Sequence, residues 1–399
     1  MEEKRQNRRK RQNRRKRRNR KIQMAKMFLG ILLVVCALNL VWPDREFSES
    51  ENRMLEQRPE LSLSGVESGR YMEQYVTYQA DQIAGRDLWV QLKTHADLLM
   101  GKRESGGVFK GKDGYLLEDI KTPDEEQMEN NLSAIRKFQE SYPDIPMYMM
   151  LVPNAANVLS DKLPAFAVTR DQDADFQRIR EALDGKLAWV DASQAMEDHK
   201  SENIYYHTDH HWTTLGAYYA YQELEETMGL DTGKAPELTP YAVSNSFNGT
   251  LSSTSGYETG YEEPIYVYLP EEEEAAPEVV VNYVDEQKKT ATLYDTSKLK
   301  EKDQYGMFLG GNSGLINIRT TADSTERLLL FKDSYANCLV PFLTPYFREI
   351  LIVDPRYYYG DITEIMRDNK ISSVLFLYNG NTFVEDNSIS GVLNNDETE

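Results

Sequence analysis

Short, uninterrupted apolar runs that alternate with amphipathic stretches constrain this chain more than any other feature. Met147–Val152, Leu187–Val190, Arg327–Phe331, Glu349–Val353 and Ser373–Tyr378 are apolar along most or all of their length. A strand with one wet face alternates polar and apolar residues, whereas a strand apolar throughout is covered on both sides. Between these runs, Met128–Ser141, Phe176–Leu183, Thr213–Met228, Tyr335–Phe347 and Ile362–Asn369 read as helices. The expected fold is therefore α/β with three layers, helices covering both faces of a mainly parallel five-stranded sheet. Sheets of this kind place their sites at the carboxyl ends of the strands.

The remaining segments fill in around that core. Residues 43–70 are polar and irregular and read as a stalk. Residues 71–99 show helical spacing interrupted at Gly85-Arg86-Asp87, which predicts two helices and a turn. Val108–Leu117 reads as a hairpin turning at Lys112-Asp113-Gly114. The α/β domain spans about 71–390, and an insertion of about 229–324 breaks its rhythm. Pro264–Leu269 and Val279–Val284 within it are expected to form a hairpin around the acidic loop Pro270–Glu274. An acidic tail, 391–399, closes the chain.

Charge is divided unevenly. Residues 1–26 carry 14 Lys+Arg against two Glu, a net +12, and the other residues carry 32 basic and 63 acidic side chains, a net −31, so the total is −19. An acidic body has no excess cation with which to neutralise phosphates, which argues against general nucleic-acid binding. Met27–Trp42 contains no charge and reads as a transmembrane anchor, with Lys26 and Trp42 suited to its two interfaces. A basic cytoplasmic leader of residues 1–26 then directs the body outside, so the expected location is the cell membrane, single-pass, with the amino terminus cytoplasmic. A cleaved signal peptide is the alternative, and no small-x-small cleavage pattern follows the run. Cys36 and Cys338 are too few and too far apart for a disulfide framework.

Three of the five histidines fall within His207-Thr208-Asp209-His210-His211. The segment leads into a helix that Thr213 or Thr214 can cap, so it reads as a loop. Two chemistries are open to it. A His/Asp cluster suits a metal, although adjacent His210 and His211 would point apart and no second cluster completes a ligand set. The other is a proton relay, in which His211 is the base and Asp209 holds its tautomer, if a hydroxyl lies at a neighbouring strand end. The strand ending at Lys332-Asp333-Ser334 supplies one. Ser334 is either a nucleophile beside a helix amino terminus or only a helix cap.

The block TDHHWTTLGAYYAY resembles the DHHW proteins of bacterial cell surfaces, and the likeness extends through FSESENRML, DQIAGRDLW, GVFKGKDGYLLE and LLLFKDSYAN. That family is similar to SGNH hydrolase-like proteins, including the periplasmic alginate O-acetyltransferase proteins. The resemblance implies catalytic roles for Asp209, His211 and Ser334, no cofactor and no metal. The order of the motifs is reversed relative to ordinary SGNH enzymes, and Lys332 stands where their Gly-Asp-Ser block has glycine. Their Gly-x-Asn-Asp block corresponds to Asn379-Gly380-Asn381-Thr382, making Asn381 an oxyanion candidate, although Asn-Gly-Asn is also ordinary turn chemistry. Asn154, at the end of the Met147–Val152 strand, is a substrate-contact candidate or a loop residue. His210 holds either the loop or the substrate, and Trp212 either stacks on a sugar or anchors the loop.

The function these residues imply is an extracytoplasmic, membrane-anchored O-acyltransferase, acetyl by resemblance, acting on a cell-surface or secreted polysaccharide. Acetyl donors arise in the cytoplasm, so the resemblance also implies a membrane-bound acyl-exporting partner. A carbohydrate esterase uses the same three residues, and a scaffold or carbohydrate-binding protein of an exopolysaccharide assembly keeps them idle. The negative body disfavours strongly anionic polymers.

Overall fold

The computed structural model describes residues 2–48, 53–272 and 275–394. Glu49–Asn52 of the expected stalk, Glu273 and Glu274 of the acidic loop and residues 395–399 of the acidic tail lie outside the described residues. The chain divides into two compact units, 1–95 and 96–399.

In the first unit, one helix runs from Glu2 to Val41. The basic leader and the apolar run are therefore one continuous helix. Its window Lys16–Asn39, 24 residues long, is long and apolar enough to cross a membrane. At 1.5 Å per residue that is roughly 36 Å, against about 30 Å of hydrocarbon. The predicted interruption near residue 85 is present: helix Arg70–Asp81 ends, Gly85 takes a positive φ of 69°, and a helix resumes over Arg86–Leu99. Arg86 and Asp81 pair across this turn at 3.6 Å.

In the second unit, the expected hairpin forms from Val108–Lys110 and Leu116–Glu118, with Asp113 and Gly114 both at positive φ in its turn. The main sheet has eight strands, not five. Their order is Lys288–Thr290, Val279–Tyr283, Leu315–Thr320, Glu349–Val353, Arg327–Lys332, Ser373–Asn379, Met147–Val152, Ala188–Val190. The last five are mutually parallel, and the first three extend the sheet antiparallel. The fold is thus mixed α/β with a mainly parallel sheet.

Both faces are covered, as the apolar runs require. Leu328 and Leu330 pack to one side with Ala217, Ala220 and Leu224 of helix Thr214–Met228. Leu329 and Phe331 pack to the other with Ile135 and Phe138 of helix Glu125–Ser141 and with Ile365 of helix Ile362–Asn369. Truncating such a fully buried leucine to alanine costs about 2–5 kcal/mol.

Two expectations are corrected. The insertion does not fold as one hairpin around the acidic loop: Glu263–Pro270 pairs with Leu238–Phe247, while Val279–Tyr283 joins the main sheet. Non-local pairing decides the partners here, and the local pattern carries no trace of it. The expected helix 335–347 is instead a 3-10 turn, Ser334–Cys338, followed by a short helix, Val340–Leu343. Pro341 has no N–H and collides with the preceding turn, so one continuous helix cannot form.

Because five strands run parallel, their carboxyl ends share one edge of the sheet. Asn154, Asp333-Ser334 and Asp354 follow such ends, and Asn379 is the last residue of its strand.

Candidate active site

The segment 207–211 is a tight loop. The Tyr206 N–H donates to the His211 carbonyl at 3.3 Å, and Tyr205 bridges Trp212. Thr213 caps the following helix, its hydroxyl accepting the Gly216 N–H. Asp209 folds back on its own loop, its Oδ1 accepting the His211 N–H at 3.0 Å and His211 Nδ1 at 2.6 Å. With the proton on Nδ1, Nε2 carries the lone pair. That lone pair lies 2.7 Å from Ser334 Oγ.

Ser334 owes its position to Asp333. The Asp333 carboxylate accepts the Tyr335 N–H through Oδ1 and the Asn379 N–H through Oδ2, both at 2.9 Å. The cap of the 334–338 turn is thus Asp333, and the Ser334 hydroxyl is left for His211.

Three residues that the sequence did not single out complete the arrangement. Thr250 donates its N–H and its hydroxyl to Asp209 Oδ2, each at 2.8 Å. Tyr305 lays its ring over His211, centroids 3.8 Å apart and planes 14° apart, and donates its hydroxyl to the Ser334 carbonyl at 3.2 Å. Gly249 has an ordinary φ but no room. A Cβ built there falls 2.2 Å from Asp209 Cβ. Gly249→Ala is therefore expected to destabilise the protein by about 1–3 kcal/mol, read from its urea midpoint; an unchanged midpoint would mean the loop yields freely. All three residues come from the insertion, which carries no motif, so no local signal marks them.

Burial opposes a charge on Asp209. The neighbouring His210 and His211, the His211 hydrogen bond and the Thr250 N–H outweigh it and hold the carboxyl far below its ordinary range. Burial and the neighbouring His210 lower His211 to about 4, although Asp209 pulls the other way. His211 is thus neutral at physiological pH, the state in which it can accept a proton.

The other candidates have different duties. Trp212 is fully buried and donates its indole N–H to the Tyr335 carbonyl at 2.9 Å, so it anchors the loop and cannot stack on a sugar. Asn381 fastens the 119–121 segment: its Nδ2 donates to the Asp119 carbonyl and its Oδ1 accepts the Lys121 N–H, an arrangement that does not fit a side-chain oxyanion donor. Asn154, buried, exchanges hydrogen bonds with Gln172 and accepts the Asn381 N–H, which makes it a loop residue rather than a substrate contact. His210 braces the loop through Nδ1 to Thr250 Oγ1 at 2.8 Å, and its carbonyl accepts the Tyr335 hydroxyl.

Lys332, in the place of the expected glycine, turns into the protein. Its Nζ meets Asn312 Oδ1 at 2.9 Å and Asp354 at 3.6 Å, with no exposure of either charged side chain. Arg356 closes on Asp354 through two hydrogen bonds of 2.8 and 2.7 Å. Burial lowers the Lys332 pKa, and Asp354 opposes that.

Asp209, His210 and His211 bring ligand-type atoms within 4.8 Å of one another. The Asp209 oxygens and both His211 nitrogens already have hydrogen-bond partners within the site, an arrangement that fits proton transfer better than coordination.

The family model described as DHHW protein matches residues 143–353. The chain belongs to the DHHW family. Among solved structures, a DHHW family protein from Eubacterium siraeum is similar, with 24% identity over 73% of this chain and 96% of that one, at a TM-score of 0.62. Bacillus cereus PatB1, solved with a sulfonyl adduct, is 22% identical over 70% of this chain and 98% of its own, at 0.58. No curated protein sequence matches. Both solved structures are similar to this chain in fold.

Proposed function

We propose that this DHHW protein is an extracytoplasmic, single-pass membrane O-acyltransferase with an SGNH-like catalytic domain, its amino terminus in the cytoplasm. Its acyl group is acetyl and its acceptor a surface or secreted polysaccharide. The observation that carries this reading is the line Asp209, His211, Ser334, with contacts of 2.6 and 2.7 Å. Ser334 Oγ attacks the acyl carbonyl while His211 Nε2 takes its proton. As the tetrahedral adduct collapses, His211 returns that proton to the leaving oxygen. A sugar hydroxyl then gives its proton to His211 and takes the acyl group from Ser334, which regains its own proton.

Asp209 fixes the tautomer and balances the transient imidazolium. The Ser334 N–H, at the start of the 334–338 turn, is the oxyanion donor that remains once Asn381 is discounted. An acyl-exporting membrane partner supplies the donor on the outer side. Hydrolysis differs only in that water replaces the sugar hydroxyl.

The test is the full-length chain in detergent, given an aryl acetate with and without an oligosaccharide acceptor. Acetylated sugar is the expected product, and free acetate alone in both cases would establish an esterase instead. The pH profile follows from His211. Only the neutral ring accepts a proton, so kcat/KM should be level through neutrality and fall tenfold per unit below about pH 4. A midpoint at or above the ordinary imidazole value of roughly 6.5 would contradict the environment described for that ring.

A further inference from the structure

The loop that carries Asp209 and His211 begins at His207, which is only 8% exposed. Its ring is stacked between Tyr115 and Tyr261, with centroids at 3.8 and 4.1 Å and planes within 20°. Its Nδ1 lies 3.0 Å from Glu263 Oε2, while Glu263 Oε1 accepts the N–H groups of His207 and Thr208 at 2.8 and 3.2 Å. A carboxylate already taking backbone donors acts as an acceptor, so Nδ1 carries the proton and Nε2 the lone pair.

Both ring faces and Nδ1 are covered. The Nε2 edge is therefore what His207 presents to a cleft of about 580 Å³, which it lines with Tyr115, Tyr261, Glu262, Glu263 and Pro264. Tyr115 is as buried as His207, and among the described residues neither its hydroxyl nor His207 Nε2 has a protein partner. Burial pushes the Tyr115 phenol up to about 12, so it keeps its proton and can donate. Tyr261 also lies close to Gly114, where an added Cβ would fall 2.9 Å from the ring. The cleft thus offers one acceptor and one donor beside the Tyr115 and Tyr261 rings, with the Glu262 and Glu263 carboxylates around them.

We propose that this cleft is a sugar subsite, holding an uncharged or amine-bearing pyranose unit of the polymer whose neighbouring unit is acylated at Ser334. The proposal rests on the acyltransferase reading. The pairing of Tyr206 with His211 closes the loop that carries both His207, at this cleft, and His211, at Ser334. Glu262 and Glu263 exclude uronates by repulsion.

Isothermal titration of the full-length chain in detergent tests this with three probes: a glucosamine pentamer, an N-acetylglucosamine pentamer and an oligogalacturonate. One of the first two should bind saturably and the third should not. Tyr261→Ala should weaken that binding by about tenfold or more, and Tyr261→Phe, which keeps the ring, should restore it. Equal affinity in Tyr261→Ala, preference for oligogalacturonate, or no binding of any probe would overturn the subsite. The acyltransferase reading is judged separately, by Ser334-dependent turnover of an aryl acetate, which needs no sugar. Turnover without sugar binding would remove the subsite alone.

Discussion

Ser334→Ala, His211→Ala and the double variant are each expected to lower turnover of an aryl acetate by the same factor, on the order of 10⁴ to 10⁶. The equality matters more than the size. A nucleophile without its base, or a base without its nucleophile, leaves only what the bound geometry and the Ser334 amide provide, so removing the second residue takes away nothing further. Losses that multiply would mean that the two side chains act independently, despite the 2.7 Å between His211 Nε2 and Ser334 Oγ. Asp209→Asn should be milder. The amide can still accept from His211 Nδ1, but it no longer balances the imidazolium.

The second large effect is on stability. Asp354→Ala should destabilise the fold by about 3–5 kcal/mol, because it removes the ion-pair partner of the buried Lys332 and leaves Asn312 as its hydrogen-bond partner. Arg356, partly exposed, can relax toward water. Lys332 cannot. Removing both charges together, as Lys332→Met with Asp354→Leu, should recover most of that loss, since a buried pair is no stronger than a well-packed apolar one of like volume. Urea unfolding of Lys332→Met, Asp354→Leu and the double variant closes the cycle. A double variant as unstable as the sum of its parts would show that the pair is not what holds Lys332 in place.

How much of this was legible in the sequence follows from what each residue touches. The five parallel strands show in the sequence because cover on both faces leaves them apolar at most positions. Of the three antiparallel strands, Val279–Tyr283 reads as a strand but with the wrong partner, because it pairs with Leu315–Thr320, more than thirty residues on, and no local pattern records a distant partner. The apolar run 335–347 reads as one helix, and Pro341 divides it.

At the site, Asp209, His211 and Ser334 stood out by clustering and by position at a strand end. Thr250 and Tyr305 did not, since a threonine and a tyrosine in an insertion have no signature until the fold brings them to Asp209 and His211. Asn154 and Asn381 each carry two readings in the sequence, because an asparagine at a strand end looks the same whether it faces a ligand or ties down backbone. Asp354 could have been found: it follows an apolar strand at the active edge of a parallel sheet, as Ser334 does.

The central claim is that Ser334 is acylated on the way to product, and the direct measurement is mass spectrometry of the quenched enzyme. The full-length chain mixed with an aryl acetate, or with a sulfonyl fluoride, should carry the acyl or sulfonyl group on the peptide containing Ser334. The His211→Ala variant should carry little of it on the same timescale. Turnover with no label on that peptide, or label that persists in Ser334→Ala, would contradict the account.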